Sequence, residues 1–203
     1  MCIQYKITIP YYEVLRNDTI GSPQVFDYLL NGLNEKISPT TLRYVLAGIK
    51  TLCHIKFNLL LNNVDIIEIG AGYGGQCRIL FLLCSIFKIN ITSYKIFDLE
   101  HPLLLQQKYL TTMGDVDMKL LSFFNLDNYS NLCSGSFVIS NYCIGEIDIQ
   151  TRQLYFDRIF KYITHGYMYW NITDPLCVLT LYPRAQIFQE DPLTGVSNVE
   201  ICF

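Results

Sequence analysis

No two of the eight cysteines in this sequence stand at C-x-x-C spacing. They fall at Cys2, Cys53, Cys77, Cys84, Cys133, Cys143, Cys177 and Cys202, mostly inside apolar segments, where a thiol behaves as a small hydrophobe. Neither a zinc site nor a disulfide framework is expected, and a reducing compartment suits these residues. Lysine and arginine never gather into a run and the net charge is −3, which argues against a surface that tracks nucleic-acid phosphates. No apolar stretch is long enough for a bilayer: the most apolar, Ile79 to Phe87, has about half the required length. The opening MCIQYKITIPYYEV lacks the basic start and continuous apolar core of a signal peptide. Low-complexity tracts and internal repeats are missing too. A soluble, cytoplasmic protein is therefore expected. With 51% apolar and only 16% charged residues, a chain of 203 residues should fold around a sizeable core as one domain.

Residues 1 to 60 read as a mainly helical lead-in. NDTIGSP is turn-rich, and VFDYLLNGL fits a short amphipathic helix. SPTTLRYVLAGIKTLCHI opens with a Ser38 cap and with Pro39 at the first helical position, where the missing N–H is tolerated. Its Leu42, Val45, Leu46, Ile49 and Leu52 recur at helical spacing. From Val64 strands and helices alternate. VDIIEI, ITSYKIFDL, MKLLSFF, FVISNYC and YMYWNI read as strands; QCRILFLLCSIF, HPLLLQQKYLTTM and IDIQTRQLYFDRIFKYIT read as helices. Such a series implies a parallel sheet covered on both faces. PRAQIFQE and SNVEICF, joined by the turn-former DPLTG, predict a terminal antiparallel pair. Ligands of open α/β sheets sit at the carboxyl ends of the strands, where strand order reverses.

DIIEIGAGYGGQCRIL, residues 65 to 80, ends a strand and places four glycines in six residues before a helix. Gly70, Gly72 and Gly75 satisfy the G-x-G-x-x-G spacing of dinucleotide binding, while Glu68-x-Gly70-x-Gly72-x-Gly74 satisfies the opening motif of enzymes that use S-adenosylmethionine. Either way the glycines bring backbone close to a ligand. Asp98, ending the next strand, can accept the ribose hydroxyls of both cofactors. Glu68 separates them: a carboxylate there is unfavourable beside a pyrophosphate and suits a sulfonium and an ammonium. Few residues of this sequence follow the fifth strand, so the second domain or extra strands that most dehydrogenases use are not expected. S-adenosylmethionine is the expected cofactor.

Taken in order, ISPTTLRY, IIEIGAGYGGQCRIL, FDLEHPLLLQQKYL, FVISNYCIGEI and QEDPLTGVSN resemble the sugar O-methyltransferase family found in polysaccharide-building loci, from about Asp18 to the end. EIGAGYGGQ is fairly specific to that family; the E-x-G-x-G core is shared by all Rossmann-like methyltransferases. The resemblance implies the class I methyltransferase fold: an α/β Rossmann-like architecture with a mostly parallel seven-stranded sheet, a terminal antiparallel strand pair and helices on both faces. The lead-in of residues 1–60 would be a helical lid, and residues 61–203 the cofactor-binding core. The acceptor implied is a hydroxyl of a sugar or glycan, deoxyhexoses such as rhamnose among the candidates. Some relatives act on glycans of large viruses, which would place a viral member in the host cytoplasm. One departure is Ala71, where the family often has glycine.

Glu146, just after FVISNYC, is the expected general base, which a poorly nucleophilic sugar hydroxyl needs. Its bland reading is a carboxylate favoured by the dipole of the following helix, which Asp148 shares. Expected cofactor contacts are Glu68, Gly70, Ala71, Gly72, Tyr73 and Gly75 on the loop, then Asp98 and Leu99. Phe124 and Asn125 would border adenine, and Ser140, Asn141 and Tyr142 the methionine part. Arg43 would pair with the methionine carboxylate, and Tyr142 or Tyr73 would present a ring face to the sulfonium. Asp18, Tyr44 and Asn171 are expected on the acceptor side, with Asp18 and Gly21 in a lid that excludes water. His165 reads as a turn residue, and His101 as a solvated helix end or, with Pro102, a border of the adenosine pocket. No tight Asp/His cluster demands a metal, although a divalent ion steering acceptor hydroxyls stays open, as does a homodimer. The expected partner is a sugar or glycan acceptor, without nucleic acid or membrane insertion. Two competitors are an NAD-dependent sugar oxidoreductase and an inactive binding module with the same fold. The first lacks its Tyr-x-x-x-Lys couple, since Tyr155 and Lys161 stand six apart. Intact Glu68, Gly70, Gly72 and Asp98 argue against the second.

Overall fold

The computed structural model describes residues 9–30, 32–129 and 137–203. They group into two compact units: the residues up to Asn62 with Gly74–Asn90, and Asn63–Tyr73 with Ile91–Phe203.

In the first unit, helix α1 (Tyr11–Leu15) runs into one 3-10 turn, Arg16–Asp18. Asp18 then ties this turn to the next helix. Its Oδ2 accepts from Ser38 N at 2.6 Å, and its Oδ1 accepts from Ser38 Oγ and Thr41 Oγ1, each at 2.7 Å. Ser38 caps α2 (Pro39–Cys53) by accepting from Thr41 N at 3.0 Å, with Pro39 at the first helical position. Strands β1 (Phe26–Leu30) and β2 (Leu33–Ile37) form an antiparallel hairpin, with Phe26 opposite Ile37 and Tyr28 opposite Glu35. VFDYLLNGL is therefore not the helix expected of it. Aromatic residues at period two favour a strand, and its Asn-Gly pair favours a tight hairpin turn, with Gly32 at φ +82°. Helix α3 (Gly75–Phe87) packs against α2 across Gly48, where an added Cβ would lie 2.8 Å from Leu83 Cδ1. Arg78 of α3 is buried and donates to Glu13 O at 2.8 Å and to Asn17 Oδ1 at 3.3 Å.

The second unit is built on seven strands: β3 (Asn63–Ile69), β4 (Asn90–Phe97), β5 (Leu121–Phe124), β6 (Phe137–Asn141), β7 (His165–Trp170), β8 (Gln186–Gln189) and β9 (Val199–Cys202). Their order is β5-β4-β3-β6-β7-β9-β8. The β4–β5, β3–β6 and β6–β7 pairs are parallel, and β9 is antiparallel to both β7 and β8. Ile66, Ile67 and Ile69 on β3 and Phe137, Val138 and Ile139 on β6 are all buried, the near-continuous burial that central parallel strands require. The helices of this unit are α4 (Glu100–Met113), α5 (Cys143–Glu146), α6 (Ile149–Arg158) and α7 (Leu176–Leu181). Tyr155 and Phe156 of α6, with Ile159 just after it, share one core with Ile67, Ile69, Val138, Met168, Trp170 and Ile201 of the sheet. Asp148 caps α6, accepting from Thr151 N at 2.9 Å and Thr151 Oγ1 at 2.7 Å. The long helix expected to run on to Thr164 ends at Arg158, and a 3-10 turn, Phe160–Tyr162, follows. Helix α7 is an addition to the expected elements. The mostly parallel α/β sheet flanked by helices, with its antiparallel end, is the expected architecture. Among the described residues no helix is long and apolar enough to cross a membrane.

Candidate functional site

From β3 the chain passes outward to β4 and β5, then returns to the other side of β3 with β6, so strand order reverses at β3. There, at the carboxyl ends of β3, β4 and β6, a cleft of ≈ 570 Å³ opens over Gly70, Gly72, Asp98 and Asn141. His101, Pro102 and Leu105 of α4 form one wall; Cys143, Glu146 and Ile147 form another. All of these residues belong to the second unit.

The loop that leaves β3 sets Gly70, Gly72 and Gly74 at φ +73°, +56° and +97°, a conformation that side chains rarely adopt. Gly75, by contrast, is the first residue of α3. The backbone thus requires glycine at the positions of E-x-G-x-G-x-G and makes no such demand at the last position of G-x-G-x-x-G.

Asp98 follows β4 into the cleft. Its Oδ1 accepts from Leu99 N at 2.8 Å and its Oδ2 from Gln106 Nε2 at 2.7 Å. The same Nε2 donates to Gly72 O at 3.0 Å, so a buried glutamine on α4 ties the acid of the cleft to the glycine loop. Burial pushes the Asp98 carboxyl above its ordinary value, while bonds from Leu99 N, Gln106 and Ala71 N hold it partly back. Glu68 lies elsewhere. It is only 3% exposed, accepts from Tyr94 Oη at 2.6 Å, and is not part of the cleft wall. Tyr94 takes Oε2 alone, so the cation contact expected of Glu68 falls to its other carboxylate oxygen. Burial pushes this carboxyl up to about 7, with the Tyr94 bond opposing and the charge of Asp98 adding.

Glu146 ends α5, is exposed, and forms part of the wall. Its Oε1 accepts from Asn171 Nδ2 at 2.7 Å. Asn171, expected on the acceptor side, thus holds the candidate base. Burial, with the charges of Asp98 and Glu146, pushes the Cys143 thiol up to about 12, so no thiolate is available there at neutral pH.

Of the residues expected against the methionine part, only Asn141 reaches the cleft. Ser140 is buried and donates to Ile69 O at 3.1 Å, joining β6 to β3. Tyr142 is left-handed at φ +70°, and its hydroxyl donates to Glu190. Glu190 also accepts from Thr194 N, Thr194 Oγ1 and Asn198 Nδ2 at 2.9, 2.7 and 2.9 Å, so QEDPLTGVSN closes around its own acid. Burial works to raise that carboxyl, but these bonds prevail and hold it below its ordinary value.

Phe124 stacks on Phe97 at 5.3 Å, and Asn125 caps a 3-10 turn by accepting from Asp127 N at 3.0 Å. Tyr73 meets Tyr109 edge-on at 4.9 Å, Leu99 is 71% exposed, and Ala71 is buried in the loop. None of these five forms the cleft wall. Arg43 and Tyr44 stand on α2, and Asp18 spends both carboxylate oxygens on the start of that helix. The bonds from Thr151 N and Oγ1 lead in holding the Asp148 carboxyl low. His101 is exposed in the first turn of α4, as a solvated helix end would be, and also lines the cleft. Gln106, Leu105, Cys143 and Ile147 were not singled out from the sequence, although His101 and Leu105 stand four apart and so share a face of α4. Among the described residues no group of three His, Cys, Asp or Glu side chains is placed to hold a metal ion.

The chain matches no family model and no curated protein. Its fold recurs among solved structures. The methyltransferase domain of bacterial CtHen1-CN is 14% identical with a TM-score of 0.56, over 80% of this chain and 98% of that one. An O-methyltransferase family protein from Burkholderia thailandensis is 8% identical with a TM-score of 0.53, over 80% of this chain and 55% of that one. The mitomycin 7-O-methyltransferase MmcR is 10% identical with a TM-score of 0.53, over 80% of this chain and 53% of that one. The chain thus spans about half the length of the last two. At these identities the likeness is one of fold, and the fold is the Rossmann-like class I methyltransferase fold.

Proposed function

We propose that this protein is an S-adenosylmethionine-dependent O-methyltransferase acting on a hydroxyl of a sugar. One observation carries the reading: a cleft at the reversal of strand order whose floor requires glycine at the E-x-G-x-G-x-G positions and whose walls bear the Asp98 and Glu146 carboxylates. The residues suit this donor. An acidic cleft without lysine or arginine in its wall favours a sulfonium and an ammonium over a pyrophosphate. The bare loop would admit the donor against its backbone, and Asp98 would accept from the ribose hydroxyls. The proteins sharing the fold add support, since three are methyltransferases by name and two are O-methyltransferases. The sugar acceptor rests on the resemblance of five segments, from ISPTTLRY to QEDPLTGVSN.

When bound, S-adenosylmethionine supplies a methyl group activated by its sulfonium. Glu146 Oε2, without a hydrogen bond among the described residues, takes the acceptor's hydroxyl proton as that oxygen becomes the nucleophile. Ile147 and Leu105 give the wall its apolar surface. Alignment alone can lower such a barrier by roughly 7–11 kcal/mol. Calorimetric titration with S-adenosylhomocysteine and with NAD tests the cofactor: the first should bind and the second should not. Binding of NAD alone would overturn the reading. Incubation with the methyl donor and a panel of free and nucleotide-linked sugars, rhamnose included, should then yield a product heavier by one methylene.

A further inference from the structure

The backbone on both sides of Glu146 is held by one guanidinium. Arg152 Nη2 donates to Ile147 O at 2.9 Å and, more weakly, to Gly145 O at 3.4 Å. The guanidinium carbon stands 5.4 Å from the ring centroid of Trp170, which is itself buried at the end of β7. A cation over an indole face is attracted by the ring's quadrupole, so the core tryptophan anchors the arginine that anchors the loop.

A second set of contacts comes from the segment after β7. Thr173 Oγ1 donates to Gly145 O at 3.2 Å, and Asn171 Nδ2 donates to Glu146 Oε1 at 2.7 Å. Residue 145 allows this approach by lacking a side chain, since a Cβ there would lie 2.5 Å from Asn171 O and 2.9 Å from its Oδ1. An exposed glutamate on a helix of four residues would otherwise be free to exchange rotamers.

We propose that Arg152 and Asn171 are positioning residues for Glu146. Arg152 fixes the backbone carbonyls on either side of it, and Asn171 holds one carboxylate oxygen so that the other faces the cleft. Neither residue touches reacting atoms in this role. The inference rests on Glu146 being the base, yet the two can fail separately, because the position of a carboxylate is observable without turnover.

The test is carboxyl-carbon NMR of protein labelled at the glutamate side-chain carboxyl, with S-adenosylhomocysteine present. The Glu146 signal is identified by its loss in Glu146→Gln. In Asn171→Ala and in Arg152→Met it should move toward the signal of the exposed Glu100, while the other glutamate signals stay in place. Arg152→Lys, which keeps the charge but loses the fork, should shift it less than Arg152→Met. A Glu146 signal unchanged in both Asn171→Ala and Arg152→Met overturns the positioning role. If either variant fails to fold, as its other glutamate signals would reveal, the remaining one decides by the same criterion. On a sugar that the panel shows to be methylated, both variants should lower kcat tenfold or more with KM within twofold, and neither should add to the loss caused by Glu146→Gln. Full turnover by Glu146→Gln would remove the base and leave the NMR result standing.

Discussion

Cys143 occupies the space that a side chain at residue 70 would need: an added Cβ on Gly70 would lie 2.3 Å from Cys143 Cβ and 2.4 Å from its sulfur. The end of β3 and the start of α5 therefore meet at the floor of the cleft with nothing between them but backbone and one thiol. Gly70→Ala should be disruptive twice over. The left-handed backbone costs about 1–2 kcal/mol for any other residue, and the overlap adds about 1–3 kcal/mol. Urea unfolding should show the summed loss. Cys143→Gly in the same chain should restore the part due to overlap and leave the backbone part.

Glu68 sets a dependence of stability on pH. Its carboxyl is pushed up to about 7 in the folded protein from an ordinary value of 4.5. Between those values the folded chain holds more protons than the unfolded chain, so stability falls as pH rises. The favourable contribution is fully present below the unfolded value and is lost as pH passes through the folded one. A difference of this size corresponds to roughly 3 kcal/mol. Glu68→Gln, which can still accept from Tyr94, should flatten that part of the pH profile of urea midpoints. Identical profiles for parent and variant would show that the carboxyl titrates as it does in the unfolded chain.

The sheet was legible because its evidence is local. Ile66, Ile67 and Ile69 announce a buried strand by composition, and Gly70, Gly72 and Gly74 announce a left-handed loop by spacing alone. The amino-terminal hairpin was not legible in the same way: over so few residues, Phe26, Tyr28 and Leu29 satisfy a helical face as readily as a strand. Most of the site lay outside any local pattern. Nothing near Glu68 in the chain reveals that Tyr94 donates its hydroxyl to one of its carboxylate oxygens. The partners of Glu146 come from Asn171 and, through the backbone, from Arg152, and only the packing of α5 and α6 against the end of β7 brings them together. The bonds from Asp18 to the start of α2 likewise lay outside a sequence pattern that marked the cap only by Ser38 and Pro39.

Asp18 offers a direct discrimination between a lid and a cap. It accepts three hydrogen bonds at the start of α2. Asp18→Ala should lower stability by about 1–3 kcal/mol, the range for losing a cap and leaving its donors unsatisfied. Its affinity for S-adenosylhomocysteine and its KM for a methylated sugar should stay within twofold of the parent. A raised KM at full stability would return Asp18 to the acceptor side.

Gln106 is the last member of the site to be tested, because it joins two parts of the cleft from beneath. Its Nε2 meets Asp98 Oδ2 at 2.7 Å and Gly72 O at 3.0 Å, and the residue is completely buried. Gln106→Leu keeps the volume and removes both bonds, so Asp98 loses the donor that fixes one of its oxygens. Affinity for S-adenosylhomocysteine should fall about tenfold, equivalent to about 1.4 kcal/mol. Gln106→Glu sets a second acid against Asp98, so its affinity should fall further and recover partly on acidification, when one of the two carboxyls takes a proton. Calorimetry across pH separates the cases. A loss in Gln106→Leu with no pH dependence, beside a larger pH-dependent loss in Gln106→Glu, identifies Gln106 as the link that presents Asp98 to the ligand. Unchanged affinity in Gln106→Leu would mean that the three left-handed glycines hold the loop in place by themselves.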